Sequence, residues 1–365
     1  MNISRVIGTL FTSVILVFLA SDVARGASAF APWGPMADIE AAARKEGKLT
    51  IYTASGHSNP ETQGATNYLF KEKYGVSIDW SILSSTEMPV RVLAEQHTKQ
   101  YVADILMNGL GGGMATVRER GYIVPILAPS SLERGVWRVD PASSAPKDRD
   151  WLFIFMPLTP SFFVNSNLVS SVEEPKSYQD LLHPRWKGKI VLQTPFIPGG
   201  GSGWFRATYR TLGADYMRAL AKQVVLVSNG NEVPDGVARG QYAIGIAAST
   251  GRGRELVQQG APVKYLHPRE GSHMPSIGTA LLGAVPHPNA ARLFLQWLYT
   301  KEGQTLYAKN MNAIPLRKDA PQDHIPPNER YTEGQPFLKA APEDLTDEKA
   351  REFYGLSKQI FEEKR

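Results

Sequence analysis

Short apolar segments alternate with segments of helical periodicity along most of the 365-residue chain. The segments 48–54 and 103–108, for example, read as buried strands, and each is followed by a helical pattern. An alternation of this kind is typical of α/β units that are built on mainly parallel sheets. The sequence therefore predicts an α/β fold, and the length of the chain favours about two domains.

Two of the predicted helices carry a clear apolar face. The first is expected over residues 62–73, with Tyr68, Leu69 and Phe70 directed inward. The second is expected as one long helix over residues 288–310. The residues on its inward face are Leu293, Phe294, Trp297 and Leu298.

The first 29 residues have the layout of a secretory signal peptide. Arg5 lies near the start, an apolar run of 15 residues covers 6–20, and the small residues Ala27 and Ala29 precede Phe30. The apolar run is shorter than the roughly 20 residues that a helix needs to span a bilayer. We expect residues 1–29 to be removed on export, which places the protein in the periplasm.

Composition excludes several other classes of protein. The chain has no cysteine, so it can form no disulfide, thiolate metal site or lipid-modified cysteine. The formal net charge of +5 falls to +4 when Arg5, Asp22 and Arg25 leave with the signal peptide. This excess is too small to indicate a nucleic-acid partner. We expect a soluble, unanchored monomer.

The search for enzyme motifs is negative. The run of residues 199–204 does not complete Gly-x-Ser-x-Gly, because Trp204 stands where the last glycine is needed. The glycine-rich runs at 109–114 and 251–256 both fail Gly-x-Gly-x-x-Gly at the third glycine. The sequence favours a binding protein over an enzyme.

Several long phrases of the chain occur in a characteristic order. They include the helix-turn-strand phrase at 177–190, the phrase at 237–248 and the helical phrase at 286–309. In this order they resemble the periplasmic solute-binding proteins of ABC importers, in particular the group that contains the ferric-ion-binding proteins. The resemblance covers nearly all of the chain after residue 29.

The resemblance implies a two-lobed, type II periplasmic-binding-protein fold with the ligand in a cleft between the lobes. Lobe 1 is then expected to contain residues 30–157 plus 275–312, and lobe 2 residues 158–274 plus 313–365. It also implies that the lobes close on a ligand about a hinge and that the closed form docks on a membrane permease. A ligand-binding subunit of a periplasmic sensor system is an alternative with the same fold.

Four loops that follow predicted strands carry hydroxyl groups or glycines, at 53–59, 84–87, 198–205 and 249–255. In open α/β sheets, ligands bind beyond the carboxyl ends of the strands, where helix N-termini offer free N–H groups that favour an anion. A small carboxylate or a phosphorylated or phosphonate compound is the expected ligand. The candidate binding residues are His57, Ser85, Thr86, Asn108, Thr159, Ser202, Gly203, Trp204, Ser249, Thr250 and Arg252.

Three successive glycines, at 199–201, precede Ser202. They indicate either a close approach of the backbone to a ligand or a flexible surface loop, and both interpretations stay open. In the ferric proteins that the chain resembles, this loop holds an anion at the start of a helix. The resemblance therefore places an anion at Ser202, Gly203 and Trp204.

The ferric group's metal is held by a histidine, a glutamate and two adjacent tyrosines. His57 falls at the histidine position, but the glutamate position falls near Gly109 and the tyrosine pair falls on Ser249 and Thr250. Because several correctly placed ligands are needed for tight binding, we expect no metal and no other cofactor here. His57 is then a hydrogen-bond donor to the ligand or a plain loop histidine. A ferric-ion-binding protein for iron import is kept as an alternative.

Two arginines, Arg252 and Arg254, follow the hydroxyl pair. A guanidinium group can bind a carboxylate or phosphate through two parallel hydrogen bonds. We expect Arg252 to contact the anion and Arg254 to be a solvated residue at the helix start. The alternative is that both arginines are solvated and pair with Glu255.

The signal-peptide assignment predicts the N-terminus of the exported protein. Protein recovered from the periplasm is expected to begin at or near Phe30, which N-terminal sequencing or intact mass would measure. Recovery of a membrane-bound product that still carries residues 1–29 would contradict this prediction.

Overall fold

Thirteen strands and eleven α-helices make up the described part of the chain in the computed structural model, which covers residues 33–54, 57–84, 86–110, 113–145, 147–156, 161–275, 277–327 and 330–362. The strands are β1 (Lys48–Ala54), β2 (Ser77–Leu83), β3 (Ile105–Gly109), β4 (Ile123–Val124), β5 (Leu152–Phe153), β6 (Phe162–Asn165), β7 (Ile190–Gln193), β8 (Val224–Val227), β9 (Ile244–Ile246), β10 (Val263–Leu266), β11 (Ser272–His273), β12 (Ile277–Leu282) and β13 (Phe337–Leu338). The helices are α1 (Met36–Glu46), α2 (Pro60–Tyr74), α3 (Glu87–Thr98), α4 (Gly113–Glu119), α5 (Pro129–Leu132), α6 (Gly200–Ala221), α7 (Glu232–Ala238), α8 (Thr250–Gln258), α9 (Pro288–Leu298), α10 (Lys301–Asn310) and α11 (Asp347–Glu362).

Two mixed sheets form the framework of two lobes. The six-stranded first sheet has the order β2-β1-β3-β12-β4, with β5 also paired to β12. The five-stranded second sheet has the order β10-β6-β9-β7-β8. The strands β1, β2 and β3 run parallel, as do β7, β8 and β9, whereas β12 and β6 run antiparallel to their neighbours. The predicted α/β fold is confirmed, but the sheets are mixed rather than mainly parallel.

Each sheet has its own apolar core. In the first lobe, the Phe70 ring lies 5.5 Å from that of Phe294 and 5.3 Å from that of Trp297, which joins α2 to α9. In the second lobe, Trp204 and Phe205 of α6 are fully buried with the residues of β7 and β9. No α-helix in the described ranges is long and apolar enough to cross a membrane.

The chain crosses between the lobes more than once. Strand β12 follows the whole second sheet in the sequence, yet it pairs with β3 and β4 of the first sheet. Met156, which lies between β5 of the first sheet and β6 of the second, forms a β-bridge with Ile314. The short strand β11, which comes just before β12 in the chain, pairs in parallel with β13.

Residues 313–325 were predicted to belong to lobe 2, but several of them pack in the core of the first sheet. Ala313, Ile314, Leu316 and Ile325 are buried in the core of the first sheet, and Ile314 is bridged to Met156. Helix α11, by contrast, packs on α6 and places Ile360 and Phe361 in the core of the second sheet. The other predicted lobe boundaries stay predictions.

The predicted inward face of α2 is wrong in one position. Thr62, Thr66, Phe70 and Tyr74 are buried, and their spacing of four residues defines the inner face of the helix. Tyr68 lies on the opposite face and is 72% exposed.

The predicted single helix over 288–310 is two helices. The Oγ1 atom of Thr300 accepts a hydrogen bond from the N–H of Gly303 at 3.1 Å, which caps the start of α10. The Thr300 hydroxyl also donates to the carbonyl of Trp297 at 2.7 Å, at the end of α9. One side chain therefore closes one helix and opens the next, while the predicted inward face of α9 is buried as expected.

Thr300→Ala is expected to lower the free energy of unfolding by roughly 0.5–2 kcal/mol, the usual cost of removing a helix cap. Urea unfolding followed by circular dichroism measures this loss. Thr300→Ser keeps the hydroxyl and serves as the control, expected to lose much less; equal losses in the two variants would contradict the capping role.

Candidate functional site

A cavity of about 1370 Å³ lies where the loops of both lobes meet. All four predicted loops contribute to its lining, through residues 57–59, Thr86, residues 198–200 and 202–204, and Ser249. These loops follow β1, β2, β7 and β9, so the cavity lies beyond the carboxyl ends of strands in both sheets. The cavity lies at the strand ends where the sequence predicted a cleft, and the position of a ligand within it stays a prediction.

Most of the predicted binding residues come together in its wall. Ser85 and Thr159 lie outside the described residues, as does the side chain of Thr250. The predicted residues that line the cavity are His57, Thr86, Asn108, Ser202, Gly203, Trp204 and Ser249.

Arg252 lies apart from this group. Its Nε donates to Asp235 at 2.8 Å and its Nη1 donates to Glu255 at 3.0 Å. The hydrogen bonds to Glu255 and Asp235 raise the pKa of Arg252, and two carboxylates leave its charge well satisfied. The expected contact between Arg252 and an anion is therefore not supported by its surroundings.

Arg254, which sequence reasoning placed in solvent, lines the cavity instead. Its guanidinium carbon lies 5.9 Å from the centre of the Tyr265 ring. The sequence held a signal for this difference. Arg252 lies three residues before Glu255, and side chains at that spacing meet on one face of a helix, so Arg252 was the arginine placed to pair with Glu255.

The glycine run is explained by packing against Gln193. A Cβ atom at position 201 would lie 2.0 Å from the carbonyl oxygen of Gln193, and one at position 199 would lie 2.7 Å from its Nε2. The N–H of Gly201 donates to Oε1 of Gln193 at 3.1 Å. Gly201 is thus required by the close approach of the Gln193 backbone, and Gly199 by its positive φ of 150°.

Gly203 has a different environment. The nearest neighbour of a Cβ at this position would be Nε2 of His273, at 3.8 Å. Gly203 and His273 both line the cavity, so the first turn of α6 faces it through Gly203.

Arg206, one turn further along α6, is a cavity residue that sequence reasoning missed. It is 9% exposed, and its buried Nη1 atom has no hydrogen-bond partner within the described ranges. Burial lowers the pKa of Arg206, against the opposing effects of Tyr354 and Asp344. The Asp344 carboxylate is already held by Arg210, whose Nε and Nη2 donate to it at 2.6 and 2.8 Å.

His273 adds a neutral group beside this cation. Burial, together with the nearby charge of Arg206, lowers the pKa of His273 to about 3. At neutral pH its imidazole is therefore uncharged, and its backbone N–H is held by the Ser161 hydroxyl at 3.0 Å. The wall near Arg206 thus combines one positive charge with an uncharged polar ring.

The described residues contain no group of three or more histidine, cysteine, aspartate or glutamate side chains that could hold a metal ion. Asn108, near the position where the ferric group has its glutamate, instead accepts a hydrogen bond from the N–H of Gly109 at 2.8 Å.

Residues 49–310 match the family of bacterial extracellular solute-binding proteins. The chain belongs to this family. It is therefore a solute-binding protein of a periplasmic transport system, and the prediction that it is not an enzyme is confirmed. A Haemophilus influenzae protein described as uncharacterized is 26% identical over 297 residues, which cover 79% of this chain and 83% of that protein.

Solved structures show the same fold. Iron-bound HitA from Pseudomonas aeruginosa has a TM-score of 0.67 at 19% identity, covering 86% of this chain and 99% of HitA. AfuA from Actinobacillus pleuropneumoniae, with fructose-6-phosphate bound, has a TM-score of 0.67 at 18% identity, covering 86% of this chain and 98% of AfuA. At these identities the likeness concerns the fold, and it confirms the predicted two-lobed type II architecture.

Gly201→Ala is expected to lower the free energy of unfolding by roughly 1–3 kcal/mol, because the new methyl group overlaps the Gln193 backbone. Gly64→Ala is the matched control, since a Cβ there has no neighbour within 4 Å and position 64 lies inside α2. This second change should stabilise the protein by about 0.5–1 kcal/mol. Denaturant unfolding of both variants measures the difference; a Gly201→Ala protein as stable as the wild type would contradict the packing argument.

Proposed function

We propose that the protein captures a small anionic organic solute, a carboxylate or a phosphorylated or phosphonate compound, and delivers it to a membrane permease of an ABC importer. The observation that carries the proposal is the buried guanidinium of Arg206 in the wall of the cavity. Family membership supports solute capture, and Arg206 supports the charge of the solute.

An arginine side chain stays protonated in proteins, so burial cannot be relieved by loss of a proton. A buried charge that lacks a partner costs several kcal/mol. Arg206 is 9% exposed, and the described neighbours leave its Nη1 without an acceptor. A carboxylate or phosphate group would supply that acceptor and match the planar fork of the guanidinium.

The first turn of α6 adds to the attraction of an anion. Ser202 and Gly203 lie in the wall one turn before Arg206, at the positive end of the part of α6 that precedes a kink at Gly213. The neutral His273 ring, near Gly203, offers a further polar contact without a second charge.

The remainder of the wall favours an organic solute over a bare inorganic ion. Phe155, Met274 and Leu110 line the same cavity as Arg206. A volume of about 1370 Å³ is larger than the roughly 300–1,000 Å³ usual for small-molecule sites, and a mixed apolar and polar lining is typical of such sites. Closure of the lobes on the solute would reduce this volume and exclude water from the ion pair.

The proposal predicts which ligand class stabilises the protein in a thermal-shift screen. The probes are inorganic phosphate, citrate, fructose 6-phosphate, methylphosphonate and ferric chloride. We expect at least one anion to raise the unfolding temperature, since a ligand at 100 times its Kd adds about 2.7 kcal/mol of stability. Arg206→Gln is expected to weaken the binding of that anion by roughly 2–5 kcal/mol, measured by calorimetry.

Arg252→Gln is the matched control, because Arg252 is paired with Asp235 and Glu255. It is expected to bind the anion as the wild type does. The Arg206→Gln protein without ligand should be at least as stable as the wild type, because it no longer buries that charge. Stabilisation by ferric chloride alone, or equal anion affinity in Arg206→Gln and wild type, would contradict the proposal.

A further inference from the structure

We infer that the C-terminal segment, residues 337–362, is part of the ligand site, and that Tyr354 determines specificity by donating a hydrogen bond to the anion held by Arg206. This inference rests on the function proposed above for Arg206.

The segment lies beyond the part of the chain that matches the family, which ends at residue 310. Even so, Ala340, Leu345 and Tyr354 line the same cavity as the first turn of α6. Helix α11 of this segment packs directly on α6, the helix that carries Arg206. The segment therefore forms one wall of the site.

This wall is fixed to the second lobe by polar and apolar contacts. Asp344 is 2% exposed and accepts both hydrogen bonds from Arg210, one turn beyond Arg206 on α6. The ring of Phe205 lies 6.2 Å from those of both Phe353 and Phe361. These contacts hold α11, and with it Tyr354, at a set distance from α6.

The same segment also contacts the first lobe. The N–H of Asp347 donates to Oε1 of Glu119 at 3.1 Å, at the end of α4. Ala340 and Leu345 are buried in a core cluster that contains residues of β1, β3 and β12. A segment held by both lobes is a pre-formed wall rather than a loosely attached tail.

Among the described residues of this segment that line the cavity, Tyr354 is the polar one. It is half-buried and lines the cavity. Arg206 lines the same cavity, and the rings of the preceding residues on the two helices, Phe205 and Phe353, lie 6.2 Å apart, so Arg206 and Tyr354 flank one contact between α6 and α11. A tyrosine hydroxyl can donate to an anion, so a ligand group on Arg206 would have a second donor from the facing helix.

The experiment uses the full mature chain and calorimetry with inorganic phosphate, citrate, fructose 6-phosphate and methylphosphonate. Tyr354→Phe removes the hydroxyl and keeps the ring, and we expect it to weaken the tightest of these probes about tenfold, as for one hydrogen bond to a charged group. Tyr209→Phe is the matched control: Tyr209 lies on α6 and its ring is 6.0 Å from Phe353, while the described lining of the cavity does not include it. It should leave binding unchanged.

Two further measurements separate contact with the ligand from a structural effect. Unfolding of Tyr354→Phe without probe should match the wild type. In the double variant Arg206→Gln/Tyr354→Phe, the combined loss should be smaller than the sum of the single losses, because both side chains contact one group.

The outcomes distinguish this inference from the proposed function. If Arg206→Gln loses the probe and Tyr354→Phe stays within twofold of the wild type, the role of Tyr354 is wrong and the function of Arg206 stands. Equal losses in Tyr354→Phe and Tyr209→Phe would also overturn the role of Tyr354. If none of the four probes binds the wild type, the anion site at Arg206 fails and this inference fails with it.

Discussion

The antiparallel pairing of β12 with β3 determines how the two lobes are arranged. The register runs from Ile277 opposite Gly109 to Leu281 opposite Ile105, so a strand that follows the entire second sheet lies inside the first. Because β12 also pairs with β4 and β5, these strands join the first sheet through it. The chain must therefore leave and re-enter the first lobe at neighbouring points. Phe155, Ser161, Met274 and Ile277, at those points, all line the cavity.

Gln193 provides a second constraint, at the end of β7. Its side-chain amide accepts a hydrogen bond from Gly201 and donates to the carbonyl of Ser228 at 3.3 Å. One side chain thus holds the loops after β7 and β8 together and sets where α6 begins. The positions of Ser202 and Arg206 in the wall follow from that starting point, since both are fixed by the helix.

Much of this framework could be predicted from the sequence. The bounds expected for β1, at 48–54, are those observed, because a short segment rich in apolar, aromatic and β-branched residues is typical of a buried strand. The break at Thr300 was missed because the apolar periodicity continues across it, and a local cap overrides that periodicity. The burial of Arg206 was not predictable from its neighbours on α6, since it depends on β11 and α11, which lie far away in the chain.

Arg206 also affects how the empty protein interacts with its solvent. Under the function proposed above, the buried guanidinium at the cavity wall would attract any small anion that fits, including the phosphate, sulfate and citrate of ordinary buffers. By mass action, such an anion would compete with the solute and multiply the solute's apparent dissociation constant by one plus the ratio of the anion's concentration to its own Kd. Affinities measured in phosphate and in a buffer of bulky organic ions would then describe two different starting states, one already filled and one empty.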